Sequence, residues 1–325
     1  MTQTNNNTTA PTPLKDNERI TTALLFFVLL IAFFITSYWI RGIFILYIVF
    51  VAVIISVELT KALKNRFRPL YYAPVILTSL SMLAPLYTWF QYRDLADWYL
   101  LGKDELPLDV NWTTNFIWLL AYGVLMYAIT YIALAGLNVV IRLITKGPDH
   151  LPHAVAENSI GLYISAAFVT VVLFTFAVPN GAMWLIFALL TPMIVDVAAY
   201  AIGNYFGTKK MLPKLSPAKS WQGFWAGMFA GVVFGTLYFM ILFSGETPLL
   251  SLGKASIFGA LAGLIMALTS QFGDWFASGI KRWCQQKDFG NVLPGHGGFL
   301  DRFDSIMFSL PTSLVLALVF YLLKR

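Results

Sequence analysis

Long apolar stretches, separated by short polar segments, repeat along the whole chain. Nine of them approach the roughly 20 residues that a helix needs to cross a membrane. They lie at about residues 20–40, 42–60, 70–89, 113–141, 158–178, 182–202, 222–243, 256–277 and 306–323. Because backbone groups in lipid must hydrogen-bond within their own segment, these stretches predict helices. The pattern therefore predicts an all-α, polytopic integral membrane protein with about nine transmembrane helices.

The composition of the 325 residues points to the same class. Hydrophobic residues make up 58% of the chain and charged residues 12%, whereas soluble domains carry roughly 25% charged residues. Such a chain lacks the polar surface that a soluble globule needs, and it is too apolar to be disordered. The single cysteine, Cys284, excludes an internal disulfide framework.

The polar segments divide the chain and orient its helices. We expect a disordered cytoplasmic tail at 1–19, N-terminal transmembrane helices at 20–157 and a C-terminal transmembrane region with the candidate catalytic residues at 158–325. The loops 61–69, 203–221 and 278–305 are basic, and the loop 90–112 is acidic. The positive-inside rule then places the N-terminus and the basic loops in the cytoplasm of a multi-pass protein of the cell (inner) membrane. The net charge of +6 follows this topology, and we expect no nucleic-acid partner.

Four glycines recur at every fourth position of one predicted span: Gly223, Gly227, Gly231 and Gly235. This spacing leaves a bare helix face on which another helix can approach closely. We interpret the face as a packing surface, either within the chain or between subunits.

Carboxylates at membrane depth are costly and by default suggest function. Asp196 and Asp274 lie near the ends of apolar runs; the alternative is that each caps a helix or pairs with a basic residue at the interface. Asp196, Tyr200 and Gly203 have the spacing of one helix face. Glu58 also ends a span, but a basic loop follows it at once, and we interpret it as a residue that caps a helix or pairs with a basic residue at the interface.

A second acidic group lies around the last basic loop. Ser278 and Lys281 continue the helix face of Asp274, and Asp301 and Asp304 face the same way if they are helical. The cations among them are Lys281, Arg282, Lys287 and Arg302. Carboxylates suit a hard cation and Lys or Arg suits phosphate oxygens, so the set predicts a Mg²⁺–polyphosphate site.

The segment PGHGG, residues 294–298, lies between these acidic groups. Its glycines give a backbone that a ligand can approach closely. Alone, the segment is weak support for a site, because a lone loop histidine such as His296 is more often a structural residue. His150 and His153 are spaced like a metal pair, but we interpret them as solvated loop residues.

The stretch from Ser278 to Asp304, SGIKRWCQQKDFGNVLPGHGGFLDRFD, resembles the signature of the phosphatidate cytidylyltransferases, or CDP-diacylglycerol synthases. It contains in order the Ser, Lys-Arg, Lys-Asp, Pro-x-His-Gly-Gly and Asp-Arg-x-Asp of that pattern. A second similar run joins Asp196, Tyr200, Gly203 and Gly207 to SPAKSWQG at 216–223. The close resemblance covers about 158–325.

Two positions depart from the family pattern. Ala277 and Gln222 stand where the family has glutamate. A divergent paralogue with an altered acceptor, weaker metal binding or low activity is one interpretation. The retention of Asp274 and Asp301 favours retained chemistry.

The resemblance implies transfer from CTP to phosphatidate, or a related lipid phosphate in the membrane, by a homodimer. The implied cofactor is Mg²⁺, at two divalent sites or at one divalent and one monovalent site. The implied metal ligands are Asp274, Asp301 and Asp304, and the catalytic set adds Lys281, Arg302 and His296. The implied substrate-binding residues are Asp196, Tyr200, Ser216, Lys219, Ser220, Ser278, Arg282, Lys287, Gly297 and Gly298.

Two other functions stay open. A CTP-dependent transferase acting on another membrane lipid, such as an isoprenoid lipid, would use the same metal site. A transporter or scramblase would use Asp196 and Asp274 as ion sites. Transporters are often built from inverted repeats, and the sequence shows none.

Overall fold

The computed structural model describes residues 41–64, 66–87, 112–242, 251–290 and 297–323. Its helices are α1 (Arg41–Leu63), α2 (Tyr72–Ser79), α3 (Trp112–Lys146), α4 (Leu151–Phe176), α5 (Gly181–Phe206), α6 (Trp221–Leu242), α7 (Leu252–Trp283) and α8 (Leu300–Leu323). Two short antiparallel strands, β1 (Lys210–Leu212) and β2 (Ser216–Ser220), form a hairpin between α5 and α6. The predicted all-α, polytopic membrane fold is confirmed.

Within the described residues, seven helices are long and apolar enough to cross a membrane, namely all except α2. With its 3₁₀ turn, α2 runs from Tyr72 to Leu83, and at 1.5 Å per residue it is about 18 Å long. That is short of the roughly 30 Å of a hydrocarbon core, so the stretch 70–89 does not contain a full span in its described part. The expected tail at 1–19, the span at 20–40 and the acidic loop up to residue 111 lie outside the described residues. The count of nine is not confirmed.

Helix α4 lies in the centre of the bundle and packs against α1, α2, α3, α5 and α8. Most of this helix is buried: in its most apolar stretch of 18 residues, 72% of the residues lie inside the protein. At one end of the bundle, Trp184 makes edge-to-face contacts with Phe187, Phe239 and Phe320. The expected boundary between residues 157 and 158 falls inside α4, so the two regions share this helix and the core around it.

The glycine face of α6 packs against helices of the same chain. A Cβ atom on Gly235 would lie 2.3 Å from the carbonyl oxygen of Gly259 in α7, and one on Gly223 would lie 2.5 Å from the carbonyl oxygen of Ala199 in α5. Neither position can therefore carry a side chain without moving backbone. The predicted packing role of these glycines is confirmed, with α5 and α7 as the partners.

A buried ion pair joins α3 to α4. The guanidinium of Arg142 donates to Oε1 of Glu157, and the two side chains are 3% and 0% exposed. The Tyr71 backbone N–H and the Asn138 amide also donate to the Glu157 carboxylate, at 2.6 and 3.2 Å. The ring of Tyr71 lies against the guanidinium, 4.1 Å from its carbon. The pair therefore fixes α3, α4 and the segment before α2 to one another.

The two histidines before and at the start of α4 are not the solvated residues that we expected. Their rings lie 5.3 Å apart, and each side chain is half-buried. One ring nitrogen of His153 lies 3.0 Å from the carbonyl oxygen of Arg68. These contacts give His150 and His153 a packing role at the end of the bundle.

The three basic segments meet at one end of the bundle. Arg66, after α1, donates to the carbonyl oxygen of Trp283 at 2.8 Å. Arg282, at the end of α7, donates to the carbonyl oxygen of Leu215 in the hairpin at 3.3 Å. The clustering is what the positive-inside pattern predicts for loops on one side of a membrane. We refer to this end as the basic end.

Candidate active site

A cavity of about 440 Å³ lies at the basic end, between α5, the hairpin, α6 and α7. Six residues predicted from the sequence line it: Asp196, Tyr200, Ser216, Lys219, Ser220 and Asp274. They come from α5, β2 and α7, which are separated by up to about 80 residues in the chain. The fold thus brings together two runs that the sequence analysis treated as separate.

Close packing of small residues seats the hairpin on α5. A Cβ atom on Gly207 would lie 2.6 Å from Oγ of Ser220. Ser220 directly precedes α6, and its Oγ accepts a hydrogen bond from the Gly223 N–H at 3.2 Å, as a helix-capping serine does. This arrangement fixes the end of β2, and so it also fixes Lys219 at the cavity wall.

The ammonium of Lys219 pairs with Oδ2 of Asp274 across the cavity. The two side chains are 24% and 23% exposed, so the pair is in contact with the cavity. Ser278 donates to the other oxygen, Oδ1 of Asp274, at 3.3 Å. The ring of Trp275 lies 5.9 Å from the ammonium of Lys219. An anionic ligand in the cavity would meet a cation that is already held in place.

A second lysine joins the acidic residues at the start of α8. Nζ of Lys281 lies 2.9 Å from Oδ1 of Asp301 and 3.7 Å from Oδ2 of Asp304. All three side chains are largely buried, with 12%, 6% and 14% exposure. The predicted convergence of these residues is what the structure shows.

Helix α8 connects the residues of the cavity with the group that contains Lys281. Oγ of Ser305 donates to Oδ2 of Asp196 at 3.3 Å, and its backbone N–H donates to Asp304 at 2.8 Å. The carboxylates of Asp196, Asp274 and Asp304 lie close enough to interact electrostatically with one another. Negative charge from three helices is therefore concentrated at one place, with Lys219 and Lys281 beside it.

The carboxylate of Asp301 is occupied by protein donors. Its Oδ2 accepts the N–H groups of Phe289 and Gly298, both at 2.9 Å, and its Oδ1 accepts Lys281. These contacts tie the loop after α7 to the first turn of α8. The predicted metal role of Asp301 stays a prediction, and the contacts favour a loop-holding role.

The donor chemistry of the site fits a hard divalent cation. Asp196 and Asp274 line the cavity and Asp304 lies beside them, and carboxylate oxygens are the ligands that Mg²⁺ prefers. No group of three such side chains stands ready at metal-binding positions in the part of the chain that the structure describes. Binding would therefore require Lys219 or Lys281 to release its carboxylate partner.

Other predicted residues lie beside the cavity or outside it. Arg282 is exposed and anchors the hairpin through Leu215. Arg302 and Lys287 are also exposed. A Cβ atom on Gly297, whose φ is +79°, would lie 3.0 Å from Oδ2 of Asp301. The roles predicted for these residues stay predictions, and His296 lies outside the described residues.

Sequence reasoning missed two polar residues near the site. Glu58 is 5% exposed and accepts backbone hydrogen bonds from Phe299 and Leu300. It therefore caps a helix, which is one of the two roles that we expected, but it does so inside the protein and next to the site. The rule that singled out Asp196, a carboxylate in an apolar run, applies equally to Glu58. Ser305 carries no such signal, because a serine in a membrane helix is common.

The two departures from the family pattern lie outside the cavity lining. Ala277 is 1% exposed and packs in the hydrophobic core. Gln222 is half-buried, and its amide donates to Oγ1 of Thr208 at 2.6 Å. Neither change removes one of the cavity carboxylates, Asp196 and Asp274.

Comparison with known proteins gives consistent matches. The model of a cytidylyltransferase family matches residues 17–320. A phosphatidate cytidylyltransferase of Mycobacterium bovis is 38% identical over 128 residues, which are 39% of this chain and 39% of that protein. Proteins of the same name from Bacillus subtilis and Staphylococcus haemolyticus are 33% and 35% identical over 131 and 133 residues, or 40% and 41% of this chain and 46% and 48% of theirs. In each case the match spans less than half of the relative's length.

Proposed function

Because the chain belongs to the cytidylyltransferase family, we propose that it transfers the cytidylyl group of CTP to phosphatidate. The products are CDP-diacylglycerol and pyrophosphate, the reaction of phospholipid biosynthesis that the names of its relatives indicate. The observation that carries the proposal is the cavity at the basic end. There Lys219 and Asp274 pair beside Asp196, on the wall of a space of about 440 Å³.

The chemistry requires little from the protein except charge and position. An oxygen of the lipid phosphate attacks the α-phosphorus of CTP, and the bond from that phosphorus to the bridging β-phosphate oxygen breaks. The second pKa of a phosphate monoester is near 6, so the attacking group is largely dianionic at neutral pH and needs no strong base. The obstacles are the repulsion between two anions and the charge on the departing pyrophosphate.

Side chains at the cavity address both obstacles. We assign Lys219 to the triphosphate, since a phosphate oxygen competes directly with Asp274 for its ammonium. Ser216 and Ser220 line the same wall and supply hydroxyl donors. Lys281 holds positive charge beside Asp304. Fixed cations of this kind act where negative charge develops during the reaction.

A divalent cation completes the proposed site. When bound, Mg²⁺ neutralises phosphate oxygens and stabilises the leaving group. Asp274 and Asp304, with Asp196 beside them, are the ligands that we propose. Their mutual electrostatic interaction supports this choice, because a cation relieves the repulsion among three carboxylates.

The location of the cavity suits substrates from two phases. The basic end would face the cytoplasm, from which CTP arrives, in a multi-pass protein of the cell membrane. Around the cavity, Tyr200, Phe206 and Trp225 are 76%, 65% and 64% exposed. Such side chains are typical of the membrane interface, so a lipid acceptor would reach the cavity from the leaflet. The expected homodimer stays a prediction.

The proposal is tested by pyrophosphate release from the purified chain in detergent, with CTP, Mg²⁺ and phosphatidate. We expect release that needs all three additions, together with formation of CDP-diacylglycerol. Parallel reactions with isoprenoid phosphates and alcohols test the acceptor. Pyrophosphate release with an isoprenoid acceptor but not with phosphatidate would show that the isoprenoid lipid is the acceptor. No release with any acceptor would contradict the proposed activity.

A further inference from the structure

We propose that Glu58 is a positioning residue for the transfer reaction: it holds the start of α8, and through it Asp301 and Lys281, in the arrangement that the site requires. The inference rests on the proposed function. It assigns a part in the chemistry to α1, which contributes none of the residues that line the cavity.

Both oxygens of Glu58 bind the backbone at the start of α8. The N–H of Phe299 donates to Oε1 and the N–H of Leu300 donates to Oε2, each at 2.9 Å. The first N–H groups of a helix have no partner within it, and a carboxylate at this end also interacts favourably with the helix dipole. One side chain from α1 therefore satisfies two backbone donors more than 240 residues away in the chain.

Two glycines leave space for the carboxylate of Glu58 in its present position. A Cβ atom on Gly298 would lie 2.7 Å from Oε2, and one on Gly290 would lie 2.8 Å from Oε1. Both distances are too short for real Cβ contacts. Gly298, in the segment first interpreted as a ligand loop, thus leaves space for a carboxylate from the same chain.

Burial of the Glu58 carboxylate in this place is energetically unfavourable. Glu58 is 5% exposed, and in the described part of the chain no Lys, Arg or His forms an ion pair with it. Burial of a charge without an ion-pair partner disfavours folding unless hydrogen bonds compensate. An apolar side chain at this position of α1 would be buried without a desolvation penalty. The presence of a carboxylate therefore indicates that its two backbone hydrogen bonds have a role.

Hydrogen bonds and ion pairs connect the backbone that Glu58 holds to the residues of the site. Gly298, next to Phe299, donates its N–H to Asp301, and Asp301 accepts Lys281 on its other oxygen. Lys281 in turn lies 3.7 Å from Asp304. If residues 298–300 shift, the partners of Asp301 and Lys281 shift with them. Small displacements of this kind reduce turnover strongly, even where they are remote from the reacting atoms.

The test compares Glu58→Gln with the wild-type chain in the pyrophosphate assay. Glutamine keeps the volume of the side chain, but it replaces one carboxylate oxygen with an NH₂ group. That group is a donor and faces a backbone N–H, which is also a donor. We expect kcat to fall about tenfold or more, with the KM values for CTP and lipid changed less than about twofold. Glu58→Asp, which keeps the charge on a shorter side chain, is expected to recover part of kcat.

Glu157→Gln is the matched control, because Glu157 is also a buried carboxylate but contacts Arg142 and not α8. We expect it to lower the unfolding temperature and to leave kcat of the folded protein unchanged. If Glu58→Gln behaves in the same way, Glu58 has only a structural role and the inference is overturned. If Glu58→Gln does not fold, Gly298→Ala tests the same contact, and an unchanged kcat in that variant would overturn the inference.

Hydrogen exchange separates this inference from the proposed function. The amides of residues 298–301 are expected to exchange faster in Glu58→Gln and at the wild-type rate in Glu157→Gln. A wild-type chain without turnover on any acceptor overturns the proposed function and, with it, the catalytic part of the inference. Turnover in the wild type with normal exchange in Glu58→Gln overturns the inference alone.

Discussion

Asp274 shows how much one side chain contributes to the cavity. It pairs with Lys219, accepts Ser278 and lies beside two further carboxylates. We expect Asp274→Asn to lower turnover at least about a hundredfold, because the neutral amide neither orients Lys219 nor binds a divalent cation. Pyrophosphate release measures the loss. Asp149→Asn, at an exposed acid outside the site, is expected to keep wild-type turnover, and equal rates in the two variants would contradict the role of Asp274.

Lys219 is expected to affect substrate affinity. Lys219→Met removes the cation that we assign to the triphosphate, and a hydrogen bond to a charged group contributes about 1.5–3 kcal/mol. We therefore expect the KM for CTP to rise at least about tenfold. The control is Lys214→Met, since Lys214 is exposed at the turn of the same hairpin. A KM that rises equally in both variants would indicate a general effect of charge and not a contact with CTP.

The residues of the site could be predicted to different degrees. Asp196 and Asp274 were found because a charge in an apolar run is rare. Ser305 could not be found, since its importance comes from contacts with Asp196 and Asp304 that only the fold creates. Glu58 carried the same signal as Asp196. The basic loop after it favoured a capping or interfacial role, and its link to the site could not be predicted because the helix that it caps begins more than 240 residues later in the chain.

At the scale of elements, the close contact between α6 and α7 makes the most direct prediction. Gly235→Ala places a methyl group 2.3 Å from the Gly259 carbonyl oxygen, which forces the helices apart. We expect the free energy of unfolding to fall by about 1–3 kcal/mol. Thermal unfolding in detergent measures the change.

Gly136→Ala is the control for that variant. Gly136 also lies in a helix, but its Cβ atom would meet nothing within 4 Å. Because alanine favours helix by about 1 kcal/mol over glycine, we expect no loss of stability. A loss in Gly136→Ala equal to that in Gly235→Ala would show that helical glycines matter here for some reason other than close packing.

The helices were easier to predict from the sequence than the hairpin. Long apolar runs predicted all seven long helices, with most of their ends within about five residues. Helices α4 and α8 begin about seven and six residues earlier than expected, and α7 ends about six residues later. The strands β1 and β2 are three and five residues long, too short for an alternating pattern to appear. The sequence analysis therefore treated 203–221 as a loop, although the hairpin supplies one wall of the cavity.

For the molecule as a whole, the proposed orientation predicts which end a reagent can reach. We expect Lys214→Cys, at the basic end, to react with a membrane-impermeant maleimide only after cells are opened. Asn180→Cys, in the exposed turn at the other end of α5, should react in intact cells. The native Cys284 is 2% exposed, and burial raises the pKa of its thiol, so its background reaction should be small. The reverse pattern of labelling would place the cavity on the outer face.

The ion pair between Arg142 and Glu157 has a consequence for how the protein is made. The two charges lie on adjacent helices, 15 residues apart in sequence, with a tight turn at Gly147 between them. Either helix alone would leave a buried charge unneutralised at the membrane boundary during synthesis, which is unfavourable. A helical hairpin in which the charges cancel enters more readily, so α3 and α4 should leave the insertion machinery together, as one unit.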